Sequence, residues 1–156
     1  KNVLLWADVM DRYGTVKRLK NEELELGYRT SALERRGLFA VRAAFSLTTG
    51  DPGAIREKME ELAAKRKEKQ PLEYPSAGST CKRPEGYFAG KLIEDAGLKG
   101  FSVGGAAVSE KHAGFVINKD HGTAADILGL CNEVKNRVKE TSGVELELEI
   151  KLLGEF

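Results

Sequence analysis

Eight of the chain's 17 glycines lie between Gly78 and Gly114, and this clustering narrows the folds open to it. Glycine accepts a left-handed backbone and lets a ligand or another strand come close to the main chain. A 156-residue sequence that concentrates this freedom centrally predicts a turn-rich middle between more regular elements. At this length a core can bury about two-thirds of the unfolded surface, so one domain or two small ones need no disulfide. Hydrophobic residues are 41% and charged residues 31%, a globular profile that is too apolar for disorder. A net charge of +1 argues against a protein that coats nucleic acid with positive charge. No apolar run approaches the roughly 18 residues of a membrane span. Lys1 to Trp6 has one basic residue and soon meets Asp8, so no signal peptide is read there. Cys81 and Cys131 are too few for a disulfide framework and lack metal-site spacing, which predicts a reducing, cytoplasmic setting and no metal.

The periodicities predict strands over 3–9 and 15–19 joined by the turn Asp11–Gly14, then a short helical turn from Asn21 to Leu26. Residues 27–31 read as a loop and Phe39–Leu47 as a strand. Asp51 and Pro52 open a helix whose apolar positions Ile55, Met59, Leu62 and Ala63 predict a buried stripe. Gln70-Pro71 ends it and marks a boundary near residue 70. From Leu72 to Phe101 the reading is mostly loop, with a helix from Tyr87 to Ala96. Two short strands, 106–108 and 115–117, precede a helix from Thr123 to about Thr141. Finally Val144, Leu146, Leu148, Ile150 and Leu152 alternate with charged residues, which predicts a strand with one buried face. The order of elements gives an α+β fold in two unequal halves.

Residue chemistry alone leaves several readings open. Ser79 lies among glycines, where a serine hydroxyl usually caps a turn, and no nucleophile-elbow motif surrounds it. His112 and His121 read as structural loop residues without metal spacing. Glu145, Glu147 and Glu149 share the polar face of the last segment, and spacing does not choose among them. Arg29, Lys82, Arg83, Lys91, Lys99 and Lys111 lie in or beside the glycine-rich loops and predict a site for an acidic small molecule.

Three blocks carry a resemblance. Tyr74-Pro75-Ser76-Ala77-Gly78-Ser79-Thr80 is followed by Lys82-Arg83-Pro84 and by Ala89-Gly90-Lys91-Leu92-Ile93-Glu94-Asp95-Ala96-Gly97-Leu98-Lys99-Gly100. Gly104-Gly105-Ala106-Ala107-Val108 then continues through Ser109-Glu110-Lys111-His112-Ala113-Gly114 to Phe115-Val116-Ile117-Asn118. Upstream stands Gly27-Tyr28-Arg29-Thr30-Ser31. Together they resemble the UDP-N-acetylenolpyruvoylglucosamine reductases of bacterial peptidoglycan synthesis.

The resemblance implies an oxidoreductase that uses FAD and NADPH to reduce a UDP-sugar enolpyruvyl ether to UDP-N-acetylmuramate. It implies catalytic roles for Arg29, Ser79 and Glu149, and substrate contacts from Tyr28, Lys82, Arg83, Lys91 and Asn118. Cofactor contacts are implied at Gly78, Ala89 and Gly90. Residues 1–70 would be the end of an FAD-binding domain and 71–156 a smaller sheet-plus-helices substrate-binding domain. The family's flavin-phosphate loops lie upstream of the arginine segment, so the chain resembles the carboxyl-terminal half of such an enzyme, inactive by itself. The short Arg29–Ser79 interval is similar to the family's shorter subtype. Two positions depart from the pattern: Cys81 stands where an aromatic is commoner, and Leu148 where a proline is. The competing expectation is a UDP-sugar or anion-binding module without redox chemistry. No nucleic-acid or membrane partner is expected.

Overall fold

The computed structural model describes residues 2–154. The chain divides into two compact units, residues 1–55 and 56–156.

The first unit is a three-stranded antiparallel sheet of β1 (Leu4–Met10), β2 (Val16–Lys20) and β3 (Phe39–Phe45), in the order β2-β1-β3. The predicted hairpin is present: Asp11 closes its turn by accepting from the Tyr13 and Thr15 amides at 2.8 and 3.0 Å. A 3₁₀ turn over Glu22–Leu24 and helix α1 (Ala32–Arg36) follow β2. Helix α1 falls in a stretch with no readable period, and at five residues it is too short to show one. Ala7, Val9, Leu19 and Leu24 form the core on one face of the sheet.

On the opposite face Asp8 stands directly across from both Arg18 and Arg42. Arg18 donates Nε to Oδ1 at 2.8 Å and Arg42 donates Nε to Oδ2 at 2.6 Å, while the Arg18 guanidinium lies 3.4 Å over the Trp6 ring. Hydrogen bonds from Arg18, then Arg42, hold the Asp8 carboxyl at about 2. A depressed carboxylate stabilises the fold at pH above its unfolded value, and that contribution is lost as pH falls from about 4 to about 2. Asp8→Asn is expected to flatten the loss of melting temperature across this interval. Parallel melting curves for variant and parent between pH 5 and pH 2 would contradict the assignment.

Helix α2 (Pro52–Lys69) is capped as predicted, the Ala54 amide donating to Asp51 Oδ1 at 2.8 Å. Its apolar stripe is not buried: Ile55, Met59 and Leu62 are exposed, and no residue of α2 is buried among the described residues. The cap and the ion pairs of Glu61 with Lys58 and Lys65 support it instead.

The second unit contains a four-stranded sheet, β4 (Ser76–Ser79), β5 (Ser102–Val103), β6 (Ala106–Val108) and β7 (Phe115–Asn118), in the order β4-β7-β6-β5. Helices α3 (Ala89–Asp95) and α4 (Ala124–Ser142) complete it. Thr123 caps α4 in a reciprocal box with Asp126. Leu92, Ile93, Ala106, Val108, Leu130, Val134, Val138 and Leu146 lead its core. Strand β4 lies within the stretch read as loop and β5 just after it, where no element is expected, because each is short.

The expected final strand forms no ladder. Over residues 144–150, Leu146 is buried as the alternation requires, but the one pairing is the bridge between Cys81 and Leu148. Their partner segment offers just Thr80–Lys82 before Pro84 ends pairing. No helix among the described residues is long and apolar enough to cross a membrane.

Candidate functional site

The site of the second unit begins with a defect in β4. Ser76 pairs with Ile117 and Ser79 with Phe115, and the register shifts between them. Gly78 takes φ +92° there, a conformation that side chains disfavour, and its amide donates to Ser76 Oγ at 3.1 Å. Such irregularities bend a strand and re-aim the next side chain. Here that side chain is Ser79, exposed on an edge strand, its Oγ only 3.5 Å from the Cys81 carbonyl oxygen. That contact is too long to commit the hydroxyl strongly.

Thr80 fixes this arrangement from beneath. It is buried, and its Oγ1 accepts from the Val116 amide at 2.9 Å. Its amide donates to the Gly114 carbonyl and its carbonyl accepts from the Glu149 amide, both at 2.9 Å. Glu149 is thereby held to the residue next to Ser79. In the sequence Thr80 shows only a β-branched hydroxyl between Ser79 and Cys81, which does not mark it for this role.

The three glutamates now separate. Glu145 faces Lys139 at 3.4 Å, and Glu147 accepts from Lys82 at 2.9 Å in an exposed pair. Glu149 alone of the three is half-buried. It lies near enough to Cys81 to help push that thiol up to about 12, after burial and Cys131. Both cysteines are free and buried, and no metal cluster occurs among the described residues.

Cys81 and Leu148 are bridge partners. The flanking bonds run from the Lys82 amide to the Glu147 carbonyl at 2.8 Å and from the Glu149 amide to Thr80. This is the non-hydrogen-bonded type of antiparallel pair, in which the partners' own amides point away from each other.

Several predicted contacts have other work. Asn118 clamps a turn, donating Nδ2 to the Gly122 carbonyl at 2.9 Å and accepting the Gly122 amide at 2.8 Å. Lys91 donates to Asp95 at 2.6 Å within α3. Ala89 is buried, and a Cβ built at Gly90 would lie 3.2 Å from His112 Cε1 and 3.3 Å from the Gly114 amide nitrogen. Arg83 donates to the Tyr87 carbonyl at 3.1 Å and stacks 3.9 Å from the Phe88 ring centroid. Lys82, Lys91, Lys99 and Lys111 each hold a separate carboxylate, Lys99 that of Glu94 and Lys111 that of Glu73. A cleft of about 180 Å³ beside β4 is lined by Ala77, Thr80, Val116, Ile127 and Ile150 among others.

In the first unit, Arg29 occupies the turn closed by the Gly27 amide and the Thr30 carbonyl at 3.0 Å. Its φ is +55°, a left-handed conformation that a long side chain seldom adopts. Its guanidinium lies 5.9 Å from the exposed Tyr28 ring. Strain held at an exposed arginine is a recurring mark of functional positions.

The second unit is thus a mixed α/β fold whose irregular edge strand carries Ser79 and whose Thr80 carbonyl holds the Glu149 amide. Residues 70–153 match the family described as UDP-N-acetylenolpyruvoylglucosamine reductase, C-terminal domain. A UDP-N-acetylenolpyruvoylglucosamine reductase of Clostridium perfringens is 54% identical over 153 residues, covering 98% of this chain and 50% of that protein. One from Geobacillus thermodenitrificans is 56% identical over 155 residues, covering 99% and 51%. The crystal structure of the Thermus caldophilus reductase superposes with a TM-score of 0.78 at 34% identity, over 96% of this chain and 52% of that one. The chain belongs to the UDP-N-acetylenolpyruvoylglucosamine reductase family, and it spans about half the length of the relatives it matches.

Proposed function

We propose that the chain supplies the substrate-binding region, residues 71–156, and an adjoining piece of flavin-binding region, residues 1–70, of a UDP-N-acetylenolpyruvoylglucosamine reductase of peptidoglycan synthesis. The observation that supports this reading most is the Thr80 link, which joins the strand of Ser79 to the backbone of Glu149. FAD, recharged by NADPH, would supply hydride to the enol-ether carbon distal to the carboxylate. Gly78, on edge strand β4, would be one of the cofactor contacts, and no atom lies within 4 Å of a Cβ built there.

The chain's own residues handle the charge and the proton. Hydride arrival pushes negative charge toward the substrate carboxylate, and a guanidinium such as Arg29 meets a carboxylate with two parallel donors. Such a cation acts best where the charge develops, in a site screened from water. Ser79 Oγ gives its proton to the carbon beside the carboxylate, which completes reduction of the double bond. Glu149 serves as the acidic partner at that carboxylate, and Lys82, Arg83 and Tyr28 contact the rest of the substrate. The reaction would take place in the cytoplasm.

The test is a chimera in which this chain replaces the matching half of the Clostridium perfringens relative. Beyond the one equivalent that reduces the flavin, NADPH consumption is expected only when the enolpyruvyl UDP-sugar is present, one equivalent for each double bond lost. A chimera that holds flavin and oxidises NADPH yet leaves the enol ether intact would exclude the reading.

A further inference from the structure

Residues 25–31 carry Arg29 between two buried anchors of the first unit, Leu24 and Ala32. The backbone turns left-handed twice on this path, at Glu25 (φ +47°) and at Arg29 (φ +55°). Side chains seldom take that conformation, and it persists where the surroundings enforce it. One side chain of α1 touches both flanks of the path. Arg35 donates Nη1 to Thr30 Oγ1 at 3.0 Å and Nη2 to the Glu25 carboxylate. Its planar fork fixes the two bonds relative to each other. Thr30 has little freedom to turn away, because a Cβ at Gly27 would lie 2.9 Å from its Cγ2 methyl. The methyl rests on the bare Gly27 α-carbon, and the hydroxyl is left for Arg35. Arg36 donates to the same carboxylate but, among the described residues, not to Thr30.

We propose that Arg35 is a positioning residue: by gripping Glu25 and Thr30 at once, it holds the turn between them, and with it Arg29, in one shape for meeting the substrate carboxylate. This rests on the role given to Arg29 under the proposed function. Arg35 and Glu25 are each 45% exposed, and ion pairs at such positions contribute little to stability. The bridge is therefore expected to act on orientation and not on melting temperature. Orientation is where small errors are expensive, since a misplacement of about 1 Å in a reacting group can slow a reaction by about 10²-fold. Arg36 is the comparison within the molecule, because it shares the carboxylate without reaching the turn.

The experiment uses the chimera with the Clostridium perfringens half. Arg35→Ala is expected to raise KM for the enol ether and slow flavin reoxidation by about tenfold or more, with flavin reduction by NADPH at the parental rate. Arg35→Lys, which cannot span both partners, should recover little, and Arg36→Ala should match the parent. Added to Arg29→Ala, Arg35→Ala is expected to cost nothing further, because residues that act through one another are not additive. A readout without turnover accompanies these: amide exchange over residues 26–30 should quicken in Arg35→Ala and in Thr30→Val, and not in Arg36→Ala. Melting curves verify that each variant folds.

Parental reoxidation in Arg35→Ala, with Arg29→Ala slow, overturns the inference and leaves the role of Arg29 standing. Additive losses in the double variant overturn it too, by giving Arg35 an effect of its own. Parental reoxidation in Arg29→Ala removes both the inference and the role it rests on.

Discussion

In the chimeric reductase, Ser79→Ala is expected to leave flavin reduction by NADPH at the parental rate and to slow reoxidation by the enol ether by about 10²–10⁴-fold, the range of a positioned proton donor. The split follows from where Ser79 sits. It is exposed at the end of β4, displaced by the Gly78 irregularity, and its proton is not spent on a short internal bond. The first half-reaction has no carbon awaiting a proton, so removal of the hydroxyl does not touch it. The second needs one proton on the carbon beside the carboxylate. Water can replace the serine poorly if the site is closed, which sets the lower end of the range. Stopped-flow measurement of the two half-reactions checks this, and equal rates in both for variant and parent would remove Ser79 from the mechanism. Ser79→Cys, which keeps a donor, should recover part of the loss.

The largest effect on stability is expected at Gly105. A Cβ built there would overlap the Asp120 carbonyl oxygen and the Gly122 amide nitrogen. These are main-chain atoms, and they are held in place. The Gly105 carbonyl accepts from the Lys119 and Asp120 amides at 2.9 and 3.0 Å, and Asn118 grips Gly122 from both ends. The crossing cannot open without giving up these bonds, so Gly105→Ala should destabilise the fold by about 3 kcal/mol, the upper range for overpacking. Chemical denaturation reads this directly. A midpoint within error of the parent would show that the two segments separate more easily than their hydrogen bonds suggest. Gly143→Ala, where no atom lies within 4 Å of the added carbon, isolates the cost of a positive φ alone.

The sequence made the long, capped and strongly periodic elements legible. Helix α4 runs where Thr123 and the Ile127–Val138 stripe place it, and the hairpin turns at Asp11. Short elements were hidden. Strand β4 reads as loop because Ser76, Ala77, Gly78 and Ser79 carry no period, and its pairing comes from β7, far along the chain. The last segment shows the opposite failure: clear alternation without a ladder, because side-chain burial sets the alternation and a partner of only three residues limits the bonding. At the candidate site, the choice of Glu149 over Glu145 and Glu147 was not available from spacing. The half-burial of Glu149 and the hold of Thr80 on its amide come from the bridge to a distant segment, which spacing does not report. The stripe on α2 was read correctly as a pattern and wrongly as a buried one, since periodicity reports an apolar face but not what lies against it.

The pairing of Cys81 with Leu148 has a consequence for how this corner can drift. Both fastening bonds belong to the residues on either side, so position 148 contributes no donor to the joint. An imino acid could stand there and the acid after it would keep its anchor. Neither fastening bond would be lost to a proline at that position, and the side chain opposite would have to fill the volume that the leucine gives up.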